Sequence, residues 1–124
     1  MSGKGFILVV DDEEAVREIV SEALEDAGYF VDTAAGGWEA LEILSGANFD
    51  LMFLDIKMPG MSGQQVMDKL KVERPELPVV MLTAVTGRGS EAEFRQRGAV
   101  DYLKKPCSME TVVATADRIL QAKK

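Results

Sequence analysis

Histidine is absent from the chain. That excludes Ser–His–Asp triads, His metal sites and His general bases outright. Cysteine occurs once, at Cys107. An internal disulfide and a Cys-cluster zinc site are therefore ruled out, and a reducing compartment fits. Long hydrophobic runs are missing too. None exceeds about five residues, as in Phe6 to Val10, against the ~20 that a membrane-spanning helix needs. That run is also too short for a signal peptide, and Asp11-Asp12-Glu13-Glu14 follows it. Positive charge is in deficit, with 14 Lys and Arg against 21 Asp and Glu and a net charge of −7. Nucleic acid and anionic membranes both select clustered Lys and Arg, so neither is an expected partner. A soluble cytoplasmic protein is the expectation.

What is present suits one domain. The chain has 124 residues, 47% hydrophobic and 28% charged, a size and composition that build a core without staples. Short apolar runs rich in β-branched and aromatic residues read as strands over Phe6 to Val10, Phe30 to Ala34, Asp50 to Leu54, Val79 to Thr83 and Val100 to Lys104. Most are apolar at nearly every position, which predicts cover on both faces, as in a parallel sheet. Stretches of helical spacing alternate with them. Val16, Ile19, Val20, Ala23, Leu24 and Ala27 form one stripe, closed by Gly28. Trp38, Leu41 and Leu44 form a second, closed by Gly46, and Val66, Met67 and Leu70 a third. Ala92 and Phe94 mark a weaker fourth, closed by Gly98, and Met109, Val112, Val113, Ala116, Ile119 and Leu120 a fifth. Five βα units in a row imply an α/β, doubly wound parallel sheet with right-handed crossovers. After the fifth helix come only Ala122-Lys123-Lys124, and no second domain is expected in these residues.

The informative polar residues share one location. Asp11 and Asp12 end the first strand, Asp55 follows the third, Thr83 ends the fourth and Lys105 follows the fifth. Sites in such sheets form at the carboxyl ends of strands, where strand order reverses. If strands one and three are neighbours, the three aspartates converge. Their mutual repulsion calls for a cation, and oxygen-only ligands suit Mg²⁺. Lys105 adds positive charge from the opposite side. A phosphoryl group would be held there by metal, ammonium and the Thr83 hydroxyl, with one carboxylate as nucleophile. Taken singly, each residue has a plainer reading. Asp12 reads as a helix N-cap, Asp55, Gly60 and Gly63 as turn residues, and Thr83 as a strand former. By the same standard Lys105 is a solvated lysine, Trp38 core or half-buried packing, and Cys107 a small apolar filler. Their joint placement at one sheet edge raises the chemical reading.

Val9-Val10-Asp11-Asp12-Glu13, Leu54-Asp55-Ile56-Lys57-Met58-Pro59-Gly60-Met61-Ser62-Gly63, Leu82-Thr83-Ala84 and Gly98 through Pro106 stand in this order. With them the chain resembles, over essentially its whole length, the receiver domain of two-component response regulators. The resemblance implies the flavodoxin-like strand order 2-1-3-4-5. It implies a phosphoacceptor domain and not an enzyme with an outside substrate, one that catalyses only its own phosphorylation and dephosphorylation. Asp55 would take a phosphoryl group from a sensor histidine kinase or a phosphotransfer protein. Asp12 would ligate Mg²⁺ directly, Asp11 through water, and the Lys57 backbone carbonyl would complete the set. Thr83 and Lys105 would contact the phosphoryl group, and the bond before Pro106 would be cis, aiming Lys105 inward. On phosphorylation Thr83 would move toward the phosphate and Tyr102 would rotate inward. The helix four–strand five–helix five surface would then change for a downstream effector, with dimerisation an option. Lys57 and Val85, two positions beyond Asp55 and Thr83, would line the entrance and tune phosphoryl lifetime. Cys107 stands where Phe often follows the Lys-Pro pair, which would loosen packing there.

Three rivals stay open. A Mg²⁺-dependent phosphatase would want a second acid where Lys57 stands. A receiver-like scaffold without chemistry would be free to lose acids that are all kept. A flavin-binding domain of similar fold would want an anion-binding loop where Asp11 and Asp12 lie.

Overall fold

The computed structural model describes residues 4–85, 87 and 89–121. Strands β1 (Phe6–Val10), β2 (Phe30–Ala34), β3 (Leu51–Leu54), β4 (Val79–Thr83) and β5 (Asp101–Lys104) alternate with five helices. These are α1 (Glu14–Asp26), α2 (Gly37–Gly46), α3 (Gly63–Glu73), α4 (Ser90–Gln96) and α5 (Met109–Gln121). All ladders are parallel and the strand order is β2-β1-β3-β4-β5. The expected fold class and order are both found.

Alternation along each strand divides the core into two layers. Leu8, Val10, Met52, Leu54 and Met81 face Leu44 of α2, Val66 and Leu70 of α3 and Phe94 of α4. Ile7, Val9, Phe53, Val80 and Leu82 face Val20 and Leu24 of α1 and Val112 and Leu120 of α5. β1, β3 and β4 are therefore buried on both sides, and their near-continuous apolar sequence follows. β2 departs from that expectation. It is an edge strand with Phe30 and Asp32 exposed, because a neighbour covers it on one side only.

Glycine stops α1 and α4 as expected. Gly28 and Gly98 lie one residue past the C-caps with φ of +103° and +110°, where a side chain would be strained. α3 starts on a capping box in which Ser62 and Gln65 exchange hydrogen bonds. Four expectations shift. β3 starts at Leu51 and β5 at Asp101. The Asp50 carboxylate instead accepts the Phe6 N–H at 2.8 Å. Gly46 is the last residue of α2 and not the stop beyond it. Trp38 is 67% exposed and not core, since its helical stripe reaches the surface at the first turn of α2. Ala122 to Lys124 lie outside the described residues.

Candidate functional site

Sheet register builds the site. Val10 and Leu54 pair across β1 and β3, and the Asp55 N–H donates to the Val10 carbonyl at 3.1 Å. Asp11 and Asp55 therefore leave the sheet side by side. Thr83 pairs with Lys104, and the Lys105 N–H donates to the Thr83 carbonyl at 2.8 Å, which sets Lys105 beside the same crevice. Carboxylate oxygens of Asp11, Asp12 and Asp55 all lie within 4.8 Å of one another. Asp11 and Asp55 are buried and Asp12 is exposed.

Lys105 stands across from them. Its Nζ donates to Asp11 Oδ2 at 2.6 Å and to Asp55 Oδ2 at 3.2 Å, with Glu13 Oε1 at 3.6 Å. The remaining oxygens of the buried pair are held by backbone. Asp11 Oδ1 accepts from the Glu13 N–H at 2.9 Å and Asp55 Oδ1 from the Ile56 N–H at 2.7 Å. Burial pushes the Asp11 carboxyl up from its ordinary value, and hydrogen bonds from Lys105 and Glu13 offset this only in part. For Lys105 burial pulls the other way, but the hydrogen bond to Asp11 and the charges of Asp55 and Asp11 reverse it and the ammonium is held above its ordinary value. Both partners shift upward because burial wins at the acid and pairing wins at the base. One lysine against three carboxylates leaves the crevice with excess negative charge. Its donors are all oxygen, as a hard divalent cation requires, and Asp11, Asp12 and Asp55 are the residues that fit one.

A cleft of about 370 Å³ opens over the crevice, with Asp12, Asp55, Lys57, Thr83, Val85 and Lys105 on its walls. The Thr83 hydroxyl accepts the Val85 N–H at 3.2 Å. Tyr102 donates to the Val85 carbonyl at 3.0 Å and shares a 2.8 Å hydrogen bond with Ser90 Oγ. The backbone of Val85 thus connects both hydroxyls. Tyr102 is already inward, 7% exposed, because its hydroxyl has two partners there. The Lys105–Pro106 peptide bond is cis. Cys107 packs half-buried against the α1–α5 core layer, and burial pushes its thiol up despite Lys105.

Residues 7–117 match the family described as the response regulator receiver domain. The chain belongs to that family. It is 36% identical over 117 residues to the DNA-binding transcriptional regulator NtrC of Escherichia coli, covering 94% of this chain and 25% of that protein. The receiver thus spans about a quarter of the relatives it matches there. Among solved structures it resembles the chemotaxis response regulator CheY4 of Vibrio cholerae, with a TM-score of 0.86, 36% identity and coverage of 96% and 99%. It also resembles the receiver domain of Francisella response regulator 1452, with a TM-score of 0.91, 26% identity and coverage of 97% and 99%. The receiver is a signalling domain of two-component systems. Among its described residues no helix is long and apolar enough to cross a membrane.

At Asp12 and Gly63 the plainer sequence reading does not hold, and Arg17 and Ser90 had none. Asp12 is not the helix N-cap, since Glu13 takes that place and no side chain caps it. Arg17 Nη1 donates to the Asp11 carbonyl at 2.7 Å, tying α1 to the crevice. Gly63 is no turn residue but the first residue of α3. A Cβ there would meet the Asp55 carbonyl oxygen and Ile56 Cα, each at 2.8 Å. Ser90 carried no signal beyond helix-starting chemistry. The spacing of Gly63 from Asp55 was visible, and its steric reason needed coordinates.

Proposed function

We propose that this receiver accepts a phosphoryl group on Asp55 from a phosphohistidine of a sensor kinase or phosphotransfer protein. The carboxylate oxygen attacks phosphorus, the P–N bond to the donor imidazole breaks, and the imidazole leaves with its electron pair and takes a proton. Lys105 neutralises charge on the incoming oxygens, and the Thr83 hydroxyl turns from Val85 to donate to one of them. Asp11, Asp12, Asp55 and the Lys57 carbonyl would hold Mg²⁺, which neutralises the carboxylates and the phosphoryl charge when bound. The observation that carries the reading is the meeting of three aspartates with Lys105 Nζ at hydrogen-bond distance from two of them. Lys57 and Val85 tune the lifetime from the cleft wall. Because the Val85 backbone links Thr83 and Tyr102, moving Thr83 biases the α4–β5–α5 face toward one arrangement that a downstream effector reads.

Incubation with Mg²⁺ and acetyl phosphate tests it. One phosphoryl mass should appear, be lost in Asp55→Asn and be blocked by a chelator. Unchanged phosphorylation of Asp55→Asn overturns the assignment. Turnover of assorted phosphomonoesters favours the phosphatase instead.

A further inference from the structure

β2 is one of the two open edges of the sheet, β5 being the other. β2 pairs with β1 alone, and a groove of about 570 Å³ runs between β2 and α1. Its α1 wall carries Glu14, Glu18, Glu22 and Glu25. Steps of four, four and three residues put them on one helical stripe. None of the four has an ion-pair partner among the described residues. Among the described residues the one cation on the groove wall is Arg17, which is turned to the Asp11 carbonyl. Ser21 also lines the groove, and its hydroxyl is the one buried side-chain polar atom without a hydrogen-bond partner among the described residues. At the Glu25 end the groove continues into an apolar hollow of about 650 Å³ beside Phe6, Tyr29 and Phe30. Phe30 is 55% exposed there.

We propose that this groove docks an extended, Lys- or Arg-rich segment of a partner protein, with an aromatic residue at the end that reaches Phe30. The stripe is linear, so it suits a polycation. The groups that could share a single metal ion are Asp11, Asp12 and Asp55 alone among the described residues. Periodicity selects the extended form. Glutamates four residues apart rise about 6 Å along a helix, and same-face side chains of an extended chain recur every ~6.6–6.8 Å. The mismatch is under about 1 Å at each four-residue step and about 2 Å at the three-residue step to Glu25, within a lysine's reach. The sheet edge adds main-chain partners. Phe30 N–H bonds inward to the Gly5 carbonyl at 2.9 Å, so ladder alternation turns the Val31 backbone outward. Asp32 Oδ1 already accepts the Thr33 N–H at 2.9 Å, so the added strand pairs chiefly at Val31.

The probe is a fluorescein-labelled octapeptide, Lys-Val-Lys-Val-Lys-Val-Lys-Phe, titrated by anisotropy at low salt and mapped by backbone NMR shifts. Binding should weaken about tenfold or more in Glu18→Lys/Glu22→Lys and in the milder Glu18→Gln/Glu22→Gln, and again in Phe30→Ser. A peptide of the same composition with its lysines contiguous should bind more weakly, and shifts should cluster at residues 14–33. No binding up to about 1 mM overturns the proposal. So does equal affinity for both peptides, indifference to the glutamate changes, or shifts confined to the Asp11–Asp55 crevice.

Discussion

Asp11 is buried at the carboxyl end of β1 beside Asp55, and burial raises its electrostatic cost. Its folded-state pKa lies above its ordinary value because of burial, against the pull of Lys105. A raised acid contributes stability that is complete below its unfolded pKa and is lost as pH rises through the folded value. Ionised Asp11 therefore works against folding at neutral pH. Lys105 is also raised, so its favourable pairing persists below its ordinary lysine pKa and is lost only in alkali. Urea unfolding of Asp11→Asn without divalent cations should give a stability close to the parent near about pH 3.5, with the variant pulling ahead as pH climbs toward about 7. A gap that is constant with pH would show that the Lys105 pair balances burial at this carboxylate, and one that favours the parent as pH rises would show that it outweighs burial.

At the scale of elements, what the chain makes legible depends on whether a signal is periodic or steric. β1, β3 and β4 announce themselves because two-sided burial demands apolar residues at every position, as in Leu51-Met52-Phe53-Leu54. Asp11, Asp12, Asp55, Thr83 and Lys105 were readable as a group because each ends or follows a strand. β2 misled, since Phe30 looks like core and is left open at an edge. Trp38 misled for the same reason, as helical spacing does not say where a stripe emerges. Gly63 was the least legible, because its cause is the approach of α3 to the Asp55 backbone. That approach can be measured. Gly63→Ala forces a methyl against two backbone atoms at 2.8 Å, so α3 or the loop after Asp55 must move. Such overpacking costs about 1–3 kcal/mol, and acetyl phosphate labelling of Asp55 should slow with it. Gly46→Ala is the counterpart, a helical glycine with nothing within 4 Å. It should stabilise by roughly 0.5–1 kcal/mol and leave labelling unchanged. Equal effects at both positions would mean that the α3 contact is soft.

For the whole molecule, the site couples to global stability because its three aspartates are far apart in the chain, at 11, 12 and 55, and meet only when β1 and β3 pair. Asp11 and Asp12 follow β1, Asp55 follows β3, and Lys105 joins β5 to the crevice. An unfolded chain cannot gather these groups, so a cation that fits them binds the native state almost alone. Mass action then stabilises the fold by about 2.7 kcal/mol at a hundredfold excess over the dissociation constant. For a chain of this length that is a rise of about 10 °C in Tm. Mg²⁺ should raise Tm in the parent receiver with a logarithmic dependence on concentration. Asp12→Ala removes an exposed carboxylate with no part in the Lys105 pairs, so it should leave the cation-free Tm nearly unchanged and flatten the Mg²⁺ response. The charge reversal Glu18→Lys/Glu22→Lys alters net charge by four units against one, outside the aspartate cluster, and should keep the response. If both variants lose it together, the cation is answering the overall −7 charge and not the three gathered aspartates.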